Sequence, residues 1–279
     1  MSDKKLQIED FEKYNYFATQ ELVDVMNAAL FLDKPLLIEG PAGTGKTYLA
    51  KSLSNMLSKE LIRLQCHEGI DEDKAIYEWD YKKQLLSIQN DKNEKNLFTD
   101  EYLIERPILK SLKTSDSLFL VDEIDRSDEE FEALLLEVLA EKQVTIPEIG
   151  TITGKGDNFT ILTSNATRDL SEALRRRCIY FFLDYPSIDI ETKVILSNVE
   201  SISEEKAKKY SLFSSFIRKL NLNKPPSLIE TVEWVKYNHE NNHEELDSNI
   251  GILIKDIDDQ KIYKEKLKEN NDFKNGSVT

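Results

Sequence analysis

The sequence has few cysteines, no long apolar run and no signal segment. Its two cysteines, Cys66 and Cys178, lie in apolar segments without CxxC or metal-ligand spacing. This excludes a disulfide framework and predicts buried thiols in a reducing compartment. No window reaches the roughly 18 uninterrupted apolar residues of a membrane span, and the N-terminal MSDKKLQIED has no apolar signal core. We therefore expect a cytoplasmic protein with no membrane partner.

Positive charge is also scarce. The 279 residues include 52 acidic and 37 basic side chains, which gives a formal net charge of -15. A nucleic-acid duplex would have to be held by a local basic patch against a repulsive field. The longest basic run is Arg175, Arg176 and Arg177. Nucleic acid is therefore not an expected partner.

Short apolar runs alternate with helix-period segments between about residues 19 and 195. This pattern predicts an α/β fold with a five-stranded parallel sheet sandwiched by helices. The predicted strands are 35–39, 61–66, 117–122, 159–164 and 178–183. After Pro186 only helix-period segments follow, so we expect an α/β domain over 1–186 and a small all-helical domain over 187–279. Residues 90–96 and 268–279 are predicted to be frayed.

The clearest predicted helix follows the third strand. Ser127 is its expected N-cap, and Glu130 completes a capping box three residues later. Phe131, Leu134, Leu135, Val138 and Leu139 fall on one face, which should pack on the sheet.

The segment GPAGTGKT matches the phosphate-binding pattern G-x-x-x-x-G-K-[ST], directly after a predicted strand and at the start of a predicted helix. In this context backbone N–H groups and the helix N-terminus face the phosphates of ATP, Lys46 reaches the β- and γ-phosphates, and the Thr47 hydroxyl binds Mg²⁺. The predicted nucleotide-binding residues are Gly40, Pro41, Ala42, Gly43, Thr44, Gly45, Lys46, Thr47 and Tyr48.

Two further predicted strands have acidic or amide side chains at or directly after their last residue. Asp122 and Glu123 close the run SLFLVDE, where Asp122 is placed to hold Mg²⁺ and Glu123 to polarise the attacking water. Asn165 follows the next strand and is expected to orient that water, although a lone Asn after a strand is usually a turn residue. Asp125 and Arg126 are expected to serve a turn, a cap or a neighbouring subunit.

The basic run lies between a short predicted helix and the fifth strand. An arginine supplied in trans stabilises transition-state charge on a phosphoryl group, and Arg177 is the first candidate, followed by Arg176. The simpler reading is that basic residues complement the end of a helix dipole, which accounts for at least one of the three. The predicted activity is that of an ATPase with half of its site on an adjacent subunit.

Taken in order, GPAGTGKT, FLVDE, TSN and ALRRR followed by a helical region resemble the AAA+ superfamily. The runs LIRLQCHEGIDEDKAIYEWDY, LIERPIL, SEALRRRCIYFFLDYP and PPSLIETVEW are similar to MoxR-type ATPases. Within these they are most similar to the CoxD-like branch, associated with maturation of carbon monoxide dehydrogenase and related molybdenum hydroxylases. The resemblance covers about residues 15–260.

This resemblance implies a homo-oligomeric, commonly hexameric ring, a partner with a von Willebrand factor A domain, and a client metalloenzyme that is remodelled or loaded with its cofactor. Candidate client-facing inserts are His67 to Tyr81 and the hairpin-like segment 144–157. Tyr77, Trp79 and Tyr81 fit either a client surface or a packed amphipathic segment. The lid arginine that senses nucleotide in many relatives is missing from 226–230, so either sensing is weak or a residue such as Arg218 substitutes.

Two other functions fit parts of the pattern. A nucleic-acid translocase of McrB-like type also carries an ALRRRF-like segment, but neither candidate insert here is strongly basic. A small-molecule P-loop kinase would need neither the arginine in trans nor the helical region. A chaperone ATPase is the leading prediction.

Overall fold

The computed structural model describes residues 5–90, 96–154, 156–243 and 245–269. The frayed segments predicted at 90–96 and 268–279 lie, apart from their ends, outside the described residues. The chain forms two compact units. The first contains residues 18–40 and 46–182 with the segment up to Tyr14, and the second contains 15–17, 41–45 and the chain from Leu183 onward. The predicted boundary after residue 186 stays a prediction.

The strands are β1 (Leu36–Glu39), β2 (Glu60–Gln65), β3 (Tyr77–Trp79), β4 (Leu103–Glu105), β5 (Ser117–Asp122), β6 (Gln143–Ile146), β7 (Gly150–Thr153), β8 (Phe159–Ser164) and β9 (Ile179–Phe182). The helices of the first unit are α1 (Ile8–Glu12), α2 (Gln20–Phe31), α3 (Lys46–Met56), α4 (Glu72–Ala75), α5 (Tyr81–Asn90), α6 (Pro107–Lys113), α7 (Glu129–Glu141) and α8 (Glu172–Arg177). Those of the second are α9 (Ile188–Asn198), α10 (Glu204–Arg218), α11 (Leu228–Glu240) and α12 (Ile257–Glu269).

A five-stranded parallel sheet with the order β2-β5-β8-β1-β9 forms the centre of the first unit. Every residue of β1 and β5 is buried, as expected for strands with helices on both faces. The five predicted strands and the α/β fold class are therefore confirmed. Because parallel strands end at one edge, the carboxyl ends of β1, β5 and β8 bring the predicted site residues together.

The sheet and its helices enclose a large apolar cluster that includes Cys66. Cys178 is half-buried against this core, and neither thiol is part of a disulfide. Burial raises the pKa of both thiols to about 12, so both are protonated at neutral pH.

The N-cap of helix α7 lies one residue after the predicted N-cap, Ser127. The Asp128 carboxylate accepts a hydrogen bond from the Phe131 N–H at 2.9 Å, so Asp128 is the N-cap. The Ser127 hydroxyl instead donates to the Ile124 carbonyl at 2.8 Å and closes the 3-10 turn that precedes the helix. The predicted capping box was wrong because that turn uses Ser127. Of the predicted inward face, Phe131, Leu135 and Val138 are buried, and Leu134 and Leu139 are half-buried against the same core.

The second unit is helical, as predicted. Its core forms around Trp234, which stacks on Phe213 at 5.4 Å between ring centroids and meets Tyr210 edge-on. Helix α11 begins with a capping box between Ser227 and Glu230, and the Leu228 N–H donates to the Gly43 carbonyl at 3.2 Å within this unit.

The two inserts form small antiparallel sheets. β3 pairs with β4, and β6 pairs with β7 as the predicted hairpin. Trp79 is 7% exposed and packs edge-on against Tyr77 and Phe98, so it belongs to the packed alternative. Tyr81 is 62% exposed at the start of α5. The segment is therefore packed at Trp79 and exposed at Tyr81, where α5 begins.

Candidate functional site

The phosphate-binding pattern lies between β1 and α3, as predicted. Gly43 and Gly45 have φ angles of +75° and +97°, in the left-handed region that favours glycine. Helix α3 starts at Lys46, directly after the loop, so the N-terminal end of the helix follows the glycine-rich turn. Its positive dipole end adds to an anion-binding geometry.

Lys46 is the buried cation of this loop. It is 6% exposed, and its Nζ donates to the Gly40 carbonyl at 2.7 Å. Burial lowers its pKa to about 8, although the carboxylates of Asp125, Asp122 and Glu123 act in the opposite direction. A charged ammonium in this position gains from an anionic ligand, because phosphate oxygens would replace the hydration lost on burial.

Asp122 at the end of β5 is the centre of a dense hydrogen-bond network. The Thr47 hydroxyl lies 3.0 and 3.1 Å from its two carboxylate oxygens, and the Thr163 hydroxyl donates to Oδ1. Arg63 on β2 donates to Oδ2. The predicted pair of Thr47 and Asp122 is therefore close together, with Arg63 as a partner that sequence reasoning missed.

Glu123 directly follows β5 in a left-handed conformation with φ +57° and ψ +49°. Its N–H donates to the Thr163 hydroxyl at 3.0 Å, which fixes the backbone. Its carboxylate pairs with Arg126 at 3.1 Å. Strained backbone of this kind is typical of functional sites, where the surrounding structure holds it in place.

Asp125 is buried and holds the loop that carries Asn165. It accepts hydrogen bonds from the Asn165 N–H, the Thr167 N–H and the Thr167 hydroxyl at 3.1, 3.1 and 2.6 Å. Burial by itself raises the pKa of Asp125, but these hydrogen bonds outweigh burial and the pKa is lowered. Sequence reasoning gave Asp125 a role in a turn, a cap or a neighbouring subunit, and its partners within the chain are Asn165 and Thr167, directly after β8.

We expect Asp125→Asn to lower the free energy of unfolding at pH 7 by about 1–3 kcal/mol, because an amide cannot satisfy the same three donors. A carboxylate with a lowered folded-state pKa stabilises the fold above its unfolded pKa and loses this contribution as the pH falls through the folded value. The difference between variant and wild type should therefore shrink below about pH 4. Urea titrations at pH 7 and pH 3.5 measure it.

The exposed Asp116 provides the control for this prediction. Its carboxylate is 71% exposed and lies 3.8 Å from Lys59. Asp116→Asn should change the free energy of unfolding by less than about 0.5 kcal/mol. An Asp125→Asn protein as stable as this control would contradict the role given to the Asp125 hydrogen bonds.

The three arginines of the basic run have different environments. Arg175 donates to both oxygens of the buried Glu39 at 3.0 and 3.1 Å and lies over the Tyr180 ring. Arg176 pairs with Glu172 one turn earlier on α8. Arg177 is exposed and has no hydrogen bond or ion pair to any described residue. The Arg175 side chain is thus held by an ion pair within its own chain, whereas the exposed Arg177 side chain can contact another molecule.

Two further candidates have local partners. Arg218 forms a buried ion pair with Glu191 at 2.7 Å and donates to the Pro226 carbonyl at 2.8 Å. Its guanidinium is used inside the helical unit, which argues against Arg218 as a substitute sensor. The Tyr48 hydroxyl donates to the Tyr14 carbonyl at 3.2 Å, and its ring is half exposed.

The residues present fit a nucleotide with Mg²⁺. A threonine hydroxyl beside a carboxylate is a pair of hard oxygen donors, as Mg²⁺ prefers. Within the described residues, no group of three or more His, Cys, Asp or Glu side chains could hold a metal by itself. A cation here would therefore take its remaining ligands from phosphates and water, which is usual for Mg²⁺ in phosphoryl-transfer sites.

These features define a P-loop α/β domain that binds nucleotide. Residues 35–178 match the model of the AAA domain family, dynein-related subfamily, and the chain belongs to this family. Membership of this family implies nucleotide binding, nucleotide hydrolysis and, in general, ATP-driven remodelling. It also indicates oligomeric assembly. No helix in the described part of the chain is long and apolar enough to cross a membrane.

Similar proteins include uncharacterized staphylococcal relatives. One from Staphylococcus saprophyticus is 26% identical over 65% of this chain and 67% of its own length. Relatives from Staphylococcus epidermidis and Staphylococcus aureus are 27% and 28% identical over 63% and 60% of this chain. The chain spans 65% and 62% of those two relatives' lengths.

Proposed function

We propose that this chain is the subunit of a ring-shaped, Mg²⁺-dependent ATPase that remodels a protein client. Lys46 and the residues of the loop from Gly40 to Thr47 bind the phosphates, and Thr47 and Asp122 hold the metal. Glu123 polarises the attacking water, and Asn165 orients it. The bound Mg²⁺ supplies charge neutralisation at the phosphates.

The exposure of Arg177 is the observation that carries the oligomeric part of this proposal. Asp122, Glu123 and Asn165 have partners within this chain. Arg177 is the exposed last residue of α8, and its side chain has no described partner. The two arginines that precede Arg177 are both paired within the chain. An exposed guanidinium such as that of Arg177 is suited to a phosphate on another molecule. Arg177 is therefore assigned as the residue supplied in trans, with Arg176 as second candidate.

The client and partner are proposed from the sequence resemblance. The runs similar to MoxR-type and CoxD-like ATPases support a role in metal-cofactor maturation of a molybdenum hydroxylase, together with a protein that contains a von Willebrand factor A domain. Exposed apolar residues of α5, among them Tyr81, Leu85 and Ile88, offer surface for a protein contact. A hexamer is the proposed ring.

The β6–β7 hairpin speaks against the nucleic-acid alternative. The predicted insert 144–157 that contains this hairpin has one basic residue, Lys155, and two acidic residues, Glu148 and Asp157. A strand-tracking motor needs basic side chains that neutralise phosphates. A protein client fits this hairpin better than a nucleic-acid strand.

Steady-state ATP hydrolysis measured against protein concentration tests the proposal. Turnover per subunit should rise with concentration as rings assemble and then level off, with Lys46→Ala as the inactive control. Constant turnover per subunit at all concentrations, with the protein remaining a monomer, would exclude the shared site. Addition of single- or double-stranded DNA should leave the rate unchanged, and strong stimulation would favour the translocase.

A further inference from the structure

Arg63 on β2 reaches the metal-binding carboxylate from the neighbouring strand. Its Nε and Nη2 donate to Asp122 Oδ2 at 3.0 and 2.6 Å. The parallel register places Gln65 opposite Asp122, two residues after Arg63 and therefore on the same face of β2. Nη2 also donates to the Gln65 amide oxygen. The guanidinium is thus oriented by two partners at the end of the sheet.

The two members of this ion pair differ in burial. The Asp122 side chain is 3% exposed, whereas that of Arg63 is 50% exposed. Release of the guanidinium into water costs Arg63 little, but a buried carboxylate without a counter-ion is strongly unfavourable. Release of Arg63 is therefore favourable only when another cation takes over the charge of Asp122.

The same carboxylate faces the phosphate loop. The Thr47 hydroxyl contacts both of its oxygens, so Asp122 presents one carboxylate to Thr47 and to Arg63 at the same time. Two cations that share one carboxylate repel each other, and each weakens the binding of the other.

We propose that Arg63 is a positioning residue that acts as an internal counter-ion of Asp122 and competes with the Mg²⁺ of the bound nucleotide. Arg63 keeps Asp122 in place beside Thr47, and metal binding loosens the guanidinium. This inference rests on the proposed function, because it takes Thr47 and Asp122 as the metal-binding residues. Its consequence is a weaker affinity for Mg²⁺ than the oxygen donors alone would give.

Binding of a fluorescent ADP analogue measures this competition without turnover. Affinity is determined in EDTA and then over a titration of free Mg²⁺, and the midpoint of the Mg²⁺-dependent gain is recorded. In Arg63→Gln the midpoint should fall by about tenfold, because the competing charge is gone. Arg63→Lys retains the charge and should stay within about threefold of wild type. An unchanged or higher midpoint in Arg63→Gln would overturn the inference.

Lys110 provides the matched control. Lys110 pairs at 2.6 Å with Glu60, which lies on β2 as Arg63 does, and the Lys110 side chain is 48% exposed. Lys110→Gln removes one positive charge of similar exposure from α6, where it pairs with the first residue of β2, and does not touch Asp122. Its midpoint should therefore equal that of wild type. A tenfold fall in this variant as well would mean that net charge, and not the pair with Asp122, sets the midpoint.

A second measurement uses the wild-type chain and does not depend on the folding of a variant. Modification by phenylglyoxal, mapped by mass spectrometry, reports how freely each arginine reacts. Addition of Mg²⁺ to the ADP-bound protein should raise the reactivity of Arg63 and leave Arg106, which pairs with Glu78, unchanged. Equal reactivity of Arg63 with and without Mg²⁺ would contradict its release.

The two levels of the proposal fail in different ways. A wild-type protein that binds no ADP analogue, with or without Mg²⁺, would refute the proposed function itself. A wild-type protein that binds it with a clear Mg²⁺ midpoint, unaltered in Arg63→Gln, would refute only the role of Arg63.

Discussion

Arg177→Ala should lower ATP turnover by about 10³- to 10⁵-fold while nucleotide binding and thermal stability stay close to wild type. The physical reason is that Arg177 has no described partner in its own chain, so its removal breaks no internal contact. In the proposed ring, its guanidinium would act only on the transition-state charge of a phosphoryl group held by the next subunit. Turnover, analogue binding and thermal unfolding, measured on one preparation, test the three parts.

The neighbouring arginines make this test sharper. Arg175→Ala leaves the buried Glu39 without its charged partner and should lower the unfolding temperature, as a structural role predicts. Arg176 and Glu172 are both largely exposed, so Arg176→Ala should change stability by less than about 1 kcal/mol.

Mixing experiments test the sharing of the site. Subunits with Arg177→Ala have an intact phosphate loop, and subunits with Lys46→Ala have an intact arginine. A mixture should regain part of the activity, because each subunit supplies what the other lacks. Full activity of Arg177→Ala alone, or a mixture as inactive as both parents, would contradict an arginine in trans.

Glu123→Gln should bind ATP with nearly wild-type affinity and hydrolyse it about 10²- to 10⁴-fold more slowly. The amide keeps the size of the carboxylate and loses the basic oxygen that would accept a proton from the attacking water. The Glu123 backbone is held by the Thr163 hydroxyl through a main-chain N–H, so the exchange leaves that contact in place. Single-turnover hydrolysis and analogue binding measure the two effects separately.

Glu130→Gln is a suitable control, because Glu130 is an exposed glutamate on the first turn of α7. Its turnover should equal that of wild type. If Glu123→Gln hydrolyses ATP at the wild-type rate, another group activates the water. An inactive Glu123→Gln ring with bound ATP also retains its assembly, and affinity purification from cell extract would then identify the partner and the client.

The features that sequence reasoning predicted well are encoded locally. A run such as SLFLVD carries the apolar density of a strand and the carboxylate at its end, so both the strand and the position of Asp122 follow from six residues. The phosphate loop is equally local, because glycine spacing fixes its turn. These segments require no knowledge of which strands are neighbours.

The features that sequence reasoning missed depend on pairing across the sheet. Arg63 meets Asp122 only because β2 lies next to β5 in one particular register. Asp125 reaches Asn165 and Thr167 because β8 lies on the other side of β5. A charged residue inside an otherwise apolar strand was the available signal for Arg63, and the sequence contained no sign of its partner.

The contact between Glu39 and Arg175 has a mechanical consequence. Glu39 is the last residue of β1, immediately before the phosphate loop, and Arg175 lies two residues before Arg177 on the same short helix. This ion pair therefore links the strand end before the phosphate loop to the helix that carries Arg177, the arginine that we propose contacts the next subunit. In the proposed ring, a displacement of Glu39 when nucleotide binds would be passed to the helix that carries Arg177, and so to the site of the neighbouring subunit.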